Sequence, residues 1–174
     1  MTSTRSDRDT ALSAIVDATE RAIAEDAENA NAFFRAVGAG SDGVRTQIRV
    51  GRHDVVVDEP PALGGEDAAP NPVEVALASL LSCQVVTYRF WAAKLGIPVD
   101  DVTVEVDGDL DLRGFFGIDD AVRPGFTGIR LAVNLSGPAT DADYQRLKDA
   151  VDEHCPVLDL LRNPTPVTTR LATG

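Results

Sequence analysis

The chain has 174 residues, of which 44% are hydrophobic and 25% charged, and its formal charge is −12 at pH 7. That length and composition suit one globular domain that can bury a core of its own. The negative charge argues against nucleic acid and anionic membrane surfaces as partners, because both would repel it.

Residues 1–8 are polar and read as a frayed end. Apolar residues then recur at Leu12, Ile15, Val16, Ala22 and Ile23 with a helical period, so residues 1–30 form an N-terminal helical appendage. Residues 31–174 form the main domain. Residues 32–37, 44–50 and the run from His53 are expected as three antiparallel strands, turned by GAGSDG and by Gly51-Arg52. PPALGGEDAAP is a loop of prolines and glycines.

Residues 71–96 are the longest element. Asn71 is suited to cap a helix, Pro72 to be its first residue, Glu74 to reach back to the cap, and Gly96 to end it before Pro98. Between Val75 and Val86 only Ser79, Ser82 and Gln84 interrupt the apolar run, which predicts a helix buried on all sides. Glu74, Gln84, Arg89 and Lys94 make it too polar for a membrane span. The run from Val102 and the stretch from Ile129 to Leu135 alternate as strands, and Phe115 with Phe116 reads as core. Thr140 caps a second helix, which Pro156 should break at Cys155, with a short helix restarting there. Residues 167–172 are expected as a last strand. The order predicts an α+β domain, with antiparallel strands packed on the long cysteine-bearing helix.

No basic start followed by an apolar stretch marks a secretory signal, so a cytoplasmic protein with reduced thiols is expected. The two cysteines, Cys83 and Cys155, lie 72 positions apart. A free thiol of pKa near 8.5 is only about 3% ionised at pH 7, whereas a pKa of roughly 6 gives about 90% thiolate, for about 3.4 kcal/mol. Burial works against ionisation, so a reactive Cys83 needs a cation beside it. Its own helix offers only the hydroxyls of Ser79 and Thr87 nearby, which leaves Arg45, Arg49 and Arg52 on the meander. Without such a cation Cys83 is an ordinary packing residue. Cys155, at a helix start, has free N–H groups to favour its thiolate. His53, His154 and the cysteines lack the spacing of a zinc site.

NPVEVALASLLSC, the CPV at 155–157, DEPPALGG and the tail RNPTPVTTRL together resemble the OsmC/Ohr family, over residues 32–172. The resemblance implies an intertwined α+β homodimer with two sites at its interface. It also implies a thiol-dependent peroxidase that reduces organic hydroperoxides or hydrogen peroxide. Cys83 would be the peroxidatic thiolate and Cys155 the resolving thiol. A small dithiol would be the external reductant, with no bound cofactor. Arg45, after the glycine-rich turn, matches the activating arginine. In the hydroperoxide reductases the partner glutamate directly follows the helix-opening proline. Here that position is Val73 and Glu74 comes one later, turned by about 100°, so Glu74 is a candidate both for catalysis and for the cap. The alternative is a non-catalytic dimer of this fold that binds an apolar small molecule.

Overall fold

A computed structural model describes residues 4–40 and 43–173. In chain order the elements are α1 (Arg5–Glu25), β1 (Ala36–Gly40), β2 (Thr46–Val50), β3 (His53–Val57) and α2 (Pro72–Leu95). There follow β4 (Asp101–Leu110), the single turn α3 (Leu112–Phe115), β5 (Phe126–Ser136), α4 (Asp141–His154) and α5 (Pro156–Arg162). The strands form two antiparallel sheets, β1-β2-β3 and β4-β5.

Helix α2 starts and stops on local chemistry. The Asn71 side chain accepts from the Glu74 N–H at 2.9 Å, and the Glu74 carboxylate accepts from the Asn71 N–H at 2.8 Å. Gly96 ends the helix with φ 65°, a left-handed conformation that costs glycine nothing. β4 and β5 lay Val102, Val106, Ile129, Leu131, Val133 and Leu135 against a core of Leu80, Tyr88, Ala92, Ile97, Val99, Leu147, Val151, Cys155 and Leu158. The core therefore sits between α2, α4, α5 and one face of the β4–β5 sheet. Leu147 is completely buried at its centre. Leu147→Ala should cost about 2–5 kcal/mol, read as a lower urea midpoint at unchanged m-value.

Helix α1 begins at Arg5 rather than after residue 8, because Thr4 caps it and Asp7 returns the bond at 3.2 Å. It lies along the far end of α2. Arg8 donates to the Val99 carbonyl at 2.5 Å and Arg5 pairs with Asp100 at 2.6 Å, so α1 is tied to the turn that leads from α2 into β4.

Four expectations are corrected. The first strand is residues 36–40, not 32–37: the Gly51 turn sets the β2–β3 register, and β1 pairs across β2 from Ala36↔Val50 to Gly40↔Thr46, leaving Phe33 and Phe34 outside and exposed. Part of the first turn, Ser41 and Asp42, lies outside the described residues. Residues 167–172 run as irregular chain with Leu171 90% exposed, not as a strand. Phe115 and Phe116 meet edge to face with centroids 4.9 Å apart but stay exposed, because α3 and its cap hold them at the tip of the β4–β5 arm, away from the core. Helix α2 is not buried on all sides: Val86 is 52% exposed, and the buried side carries Leu80, Gln84, Thr87, Tyr88 and Ala92. By length and composition α2 could cross a membrane, but α1, β4, α4 and α5 all pack on it, which is the place of a core helix.

Candidate active site

Cys83 sits mid-way along α2, half-buried, on the side that meets α5. Cys155 sits at the break between α4 and α5, is 1% exposed, and is a free thiol like Cys83. The break has a local cause, since Pro156 bars helical geometry at the residue before it. Cys155 accordingly takes φ −79°, ψ 113° and caps α5. Its N–H donates to the Val151 carbonyl at 2.9 Å, and its own carbonyl accepts from the Asp159 N–H at 2.9 Å. The residue thus closes one helix and opens the next.

This arrangement brings the two thiols into contact. The Cys83 sulfur meets the Cys155 thiol, the backbone N–H of Val157 and the hydroxyl of Thr87. Burial pushes the Cys83 thiol above its ordinary pKa; the Val157 N–H opposes this, and the neighbouring Cys155 adds to it. The Thr87 hydroxyl already donates to the Cys83 carbonyl at 2.7 Å, so it must rotate to serve a thiolate. Among the described residues, the strongest influences on Cys83 thus include the second thiol that disulfide chemistry requires, and none of them is a cation.

The other two predicted site residues lie elsewhere. Glu74 is engaged in the helix cap, about 13 Å along the axis from Cys83. Arg45 pairs with Glu66 and, at 3.5 Å, with Asp58. Asp58 is buried and accepts from the Glu66 and Ala68 N–H groups at 3.1 and 3.2 Å, so Arg45 clamps the loop that precedes α2. Burial pushes the Asp58 carboxyl up, but the N–H groups of Ala68, Glu66 and Glu59 and the charge of Arg45 outweigh it and hold it below the usual carboxylate value. Neither Arg45 nor Glu74 is among the leading influences on the Cys83 thiol.

Gly65 allows this loop to close. A Cβ there would meet the Glu59 carbonyl oxygen at 1.8 Å. The meander itself makes no extensive contact with the helices or with the β4–β5 sheet among the described residues.

The Val157 N–H was not anticipated from sequence, nor was the contact between His154 and Trp91 beside the site. The His154 ring stacks on Trp91 with centroids 4.2 Å apart. The adjacency of His154 to Cys155 in sequence is a signal for neither a zinc site nor a Cys–His pair, and the contact with Trp91 depends on how α4 packs on α2. Among the described residues, no three His, Cys, Asp or Glu side chains gather into a metal site.

The sequence profile described as OsmC-like protein matches residues 64–170, a span that holds both cysteines. No curated protein sequence matches the chain significantly. Several solved structures share the fold. An OsmC-like protein from Mycoplasma pneumoniae is 16% identical with a TM-score of 0.64, covering 76% of this chain and 89% of its own. An organic hydroperoxide resistance protein OsmC from Legionella pneumophila is 22% identical with a TM-score of 0.59, covering 75% and 90%. The organic hydroperoxide resistance protein OhrB of Bacillus subtilis is 21% identical with a TM-score of 0.53, covering 75% and 91%.

Proposed function

The chain belongs to the OsmC-like protein family, and on that premise we propose that it is a thiol-dependent peroxidase of the cytoplasm, acting on organic hydroperoxides or hydrogen peroxide. One observation carries the reading: Cys83 and Cys155, both free thiols, lie close enough to act on each other where α5 meets α2. The Cys83 thiolate attacks one peroxide oxygen and the O–O bond breaks. The leaving oxygen takes a proton to become an alcohol or water, and Cys83 becomes a sulfenic acid. Cys155 condenses with it to a disulfide, releasing water, and an external dithiol restores both thiols by exchange.

The enzyme works as a homodimer. Among the described residues the first sheet makes no extensive contact with the helices or the second sheet, and Val37, Val50, Val56, Phe33 and Phe34 stay exposed around it. A second copy would cover that surface and bring its Arg45 toward Cys83, supplying the cation that α2 does not carry. Glu74 serves the cap rather than the chemistry. Glu74→Gln should keep turnover within about twofold of wild type, and Glu74→Ala should cost about 1 kcal/mol of stability. A steady-state assay beside a denaturation curve separates the two roles; a large loss in the Gln variant would make the carboxylate catalytic.

The direct test is mass spectrometry after one equivalent of hydroperoxide. A Cys83 sulfenic acid or a Cys83–Cys155 disulfide is the expected product, and two unmodified thiols beside intact peroxide would end this reading.

A second reading is a non-catalytic dimer that binds an apolar small molecule. The space such a ligand would use is a groove of about 570 Å³ between β5 and α4, lined by Ile129, Leu131 and Val133 on β5 and by Asp141, Lys148 and Asp152 on α4. Native mass spectrometry of Cys83→Ala protein distinguishes it, since a retained ligand would survive loss of the thiol.

A further inference from the structure

The break at Cys155 places the second thiol at the junction of two helices, with Val151 before it fully buried in the core. Beyond the break, Leu158 is anchored in the core. Before it, the last residue of α4 is His154, and its ring is held on two sides. Its Nδ1 lies 2.8 Å from the Ala150 carbonyl. A carbonyl can only accept, so Nδ1 carries the proton and the ring orientation is fixed. The ring face lies on Trp91 at 4.2 Å and 38°.

Trp91 lies eight residues beyond Cys83 on the same helix, about two turns along its axis. Lys94, which pairs with Glu20 of α1 at 3.1 Å, sits over the same ring at 5.2 Å. Helix α2 therefore carries Cys83 and, two turns on, the ring against which the residue before Cys155 is stacked.

We propose that the Trp91–His154 stack holds Cys155 within reach of Cys83, which makes Trp91 and His154 positioning residues for disulfide formation. The step joins the Cys155 sulfur to the Cys83 sulfur while the S–O bond of the sulfenic acid breaks, and the hydroxyl leaves as water with the Cys155 proton. Its geometry is demanding, because a disulfide forms only with Cα atoms within about 7 Å. A kink that wanders lets a second peroxide reach the sulfenic acid first and drive it to sulfinic acid.

The proposal rests on the peroxidase reading for its role in the cycle, so its test has two arms. The first uses diamide, which takes up the two thiol hydrogens and joins the sulfurs without peroxide. Wild type, His154→Ala and His154→Phe are compared at full length by quenched alkylation and mass spectrometry. Closing of the Cys83–Cys155 bond should slow at least about tenfold in His154→Ala and return to within about threefold of wild type in His154→Phe, which can still stack.

The second arm is a single turnover with hydroperoxide. Peroxide loss should agree within about twofold across the three proteins, while His154→Ala accumulates Cys83 sulfinic acid. Wild-type closing rates in His154→Ala, failure of phenylalanine to restore closing, or equal slowing of both steps would overturn the proposal. If diamide gives the expected pattern and no protein consumes peroxide, the positioning role stands and the peroxidase reading falls.

Discussion

Cys83→Ser is expected to lower peroxide consumption to the uncatalysed background, a loss of at least about a thousandfold in steady state. Attack on an O–O bond needs a polarisable anion, and a serine hydroxyl at neutral pH supplies neither the anion nor an oxidised form that can be recycled. Cys155→Ser should behave differently. It keeps the attacking sulfur and removes a neighbour that pushes the Cys83 thiol upward, so its first turnover should run at no less than the wild-type rate. Its sulfenic acid then has no internal partner. With one equivalent of peroxide the expected mass gain is one oxygen on Cys83, and with excess peroxide two or three, while turnover stops. Peroxide consumption by Cys83→Ser at a substantial fraction of the wild-type rate would move the chemistry away from α2 altogether. A Cys155→Ser enzyme that cycles normally with a dithiol would show that the external reductant attacks the sulfenic acid directly.

What could be read from residue types differs from what could not by the range of the forces involved. The limits of α2 were legible because Asn71, Pro72, Glu74 and Gly96 act within one turn of the backbone. The kink at Cys155 was legible for the same reason, since the ring of Pro156 excludes helical geometry one residue back. The contact between the two thiols was not derivable from either motif. It depends on how α5 lies across α2, which is decided by burying Leu80, Leu147, Val151 and Leu158 together.

The misreadings share one cause. Phe33 and Phe34, the pair Phe115 and Phe116, Val86, and Val167 with Leu171 all carry apolar patterns, and all are exposed. Hydrophobic pattern says that a surface is to be covered but not by which chain. Under the proposed dimer these surfaces are the ones a second copy would use. Arg45 belongs to the same class. Its place after a glycine-rich turn was visible, but its engagement with Asp58 and Glu66 depends on a loop that folds back through Gly65.

Arg45→Met is the variant that tests whether this arginine ionises Cys83. Burial in the single chain pushes the Cys83 thiol up, so a cation contributed across the dimer has to overcome an unfavourable start. For an ordinary thiol, a pKa brought from about 8.5 to roughly 6 changes the thiolate fraction at pH 7 from about 3% to about 90%, and the higher start of a buried thiol widens that gap until the pH passes its pKa. A thiolate of lower pKa is intrinsically less nucleophilic, which cancels part of the gain. A guanidinium at the site also stabilises the departing oxygen, a contribution of about a hundredfold for a well-placed donor.

The first correction and the last contribution are the same at every pH, but the thiolate fraction is not. Arg45→Met should therefore lose at least about two orders of magnitude at pH 7, and its deficit should shrink steadily as the pH is raised to about 9.5. The sign follows from the chemistry: removing the cation raises the Cys83 pKa, so activity is lost below that pKa and recovered as pH rises through it. Glu66→Gln is the control, because it removes a carboxylate that competes for Arg45 and should not slow the enzyme. A deficit of equal size at both pH values would assign Arg45 to the departing oxygen or to the Asp58 loop, and would leave the ionisation of Cys83 to another cation.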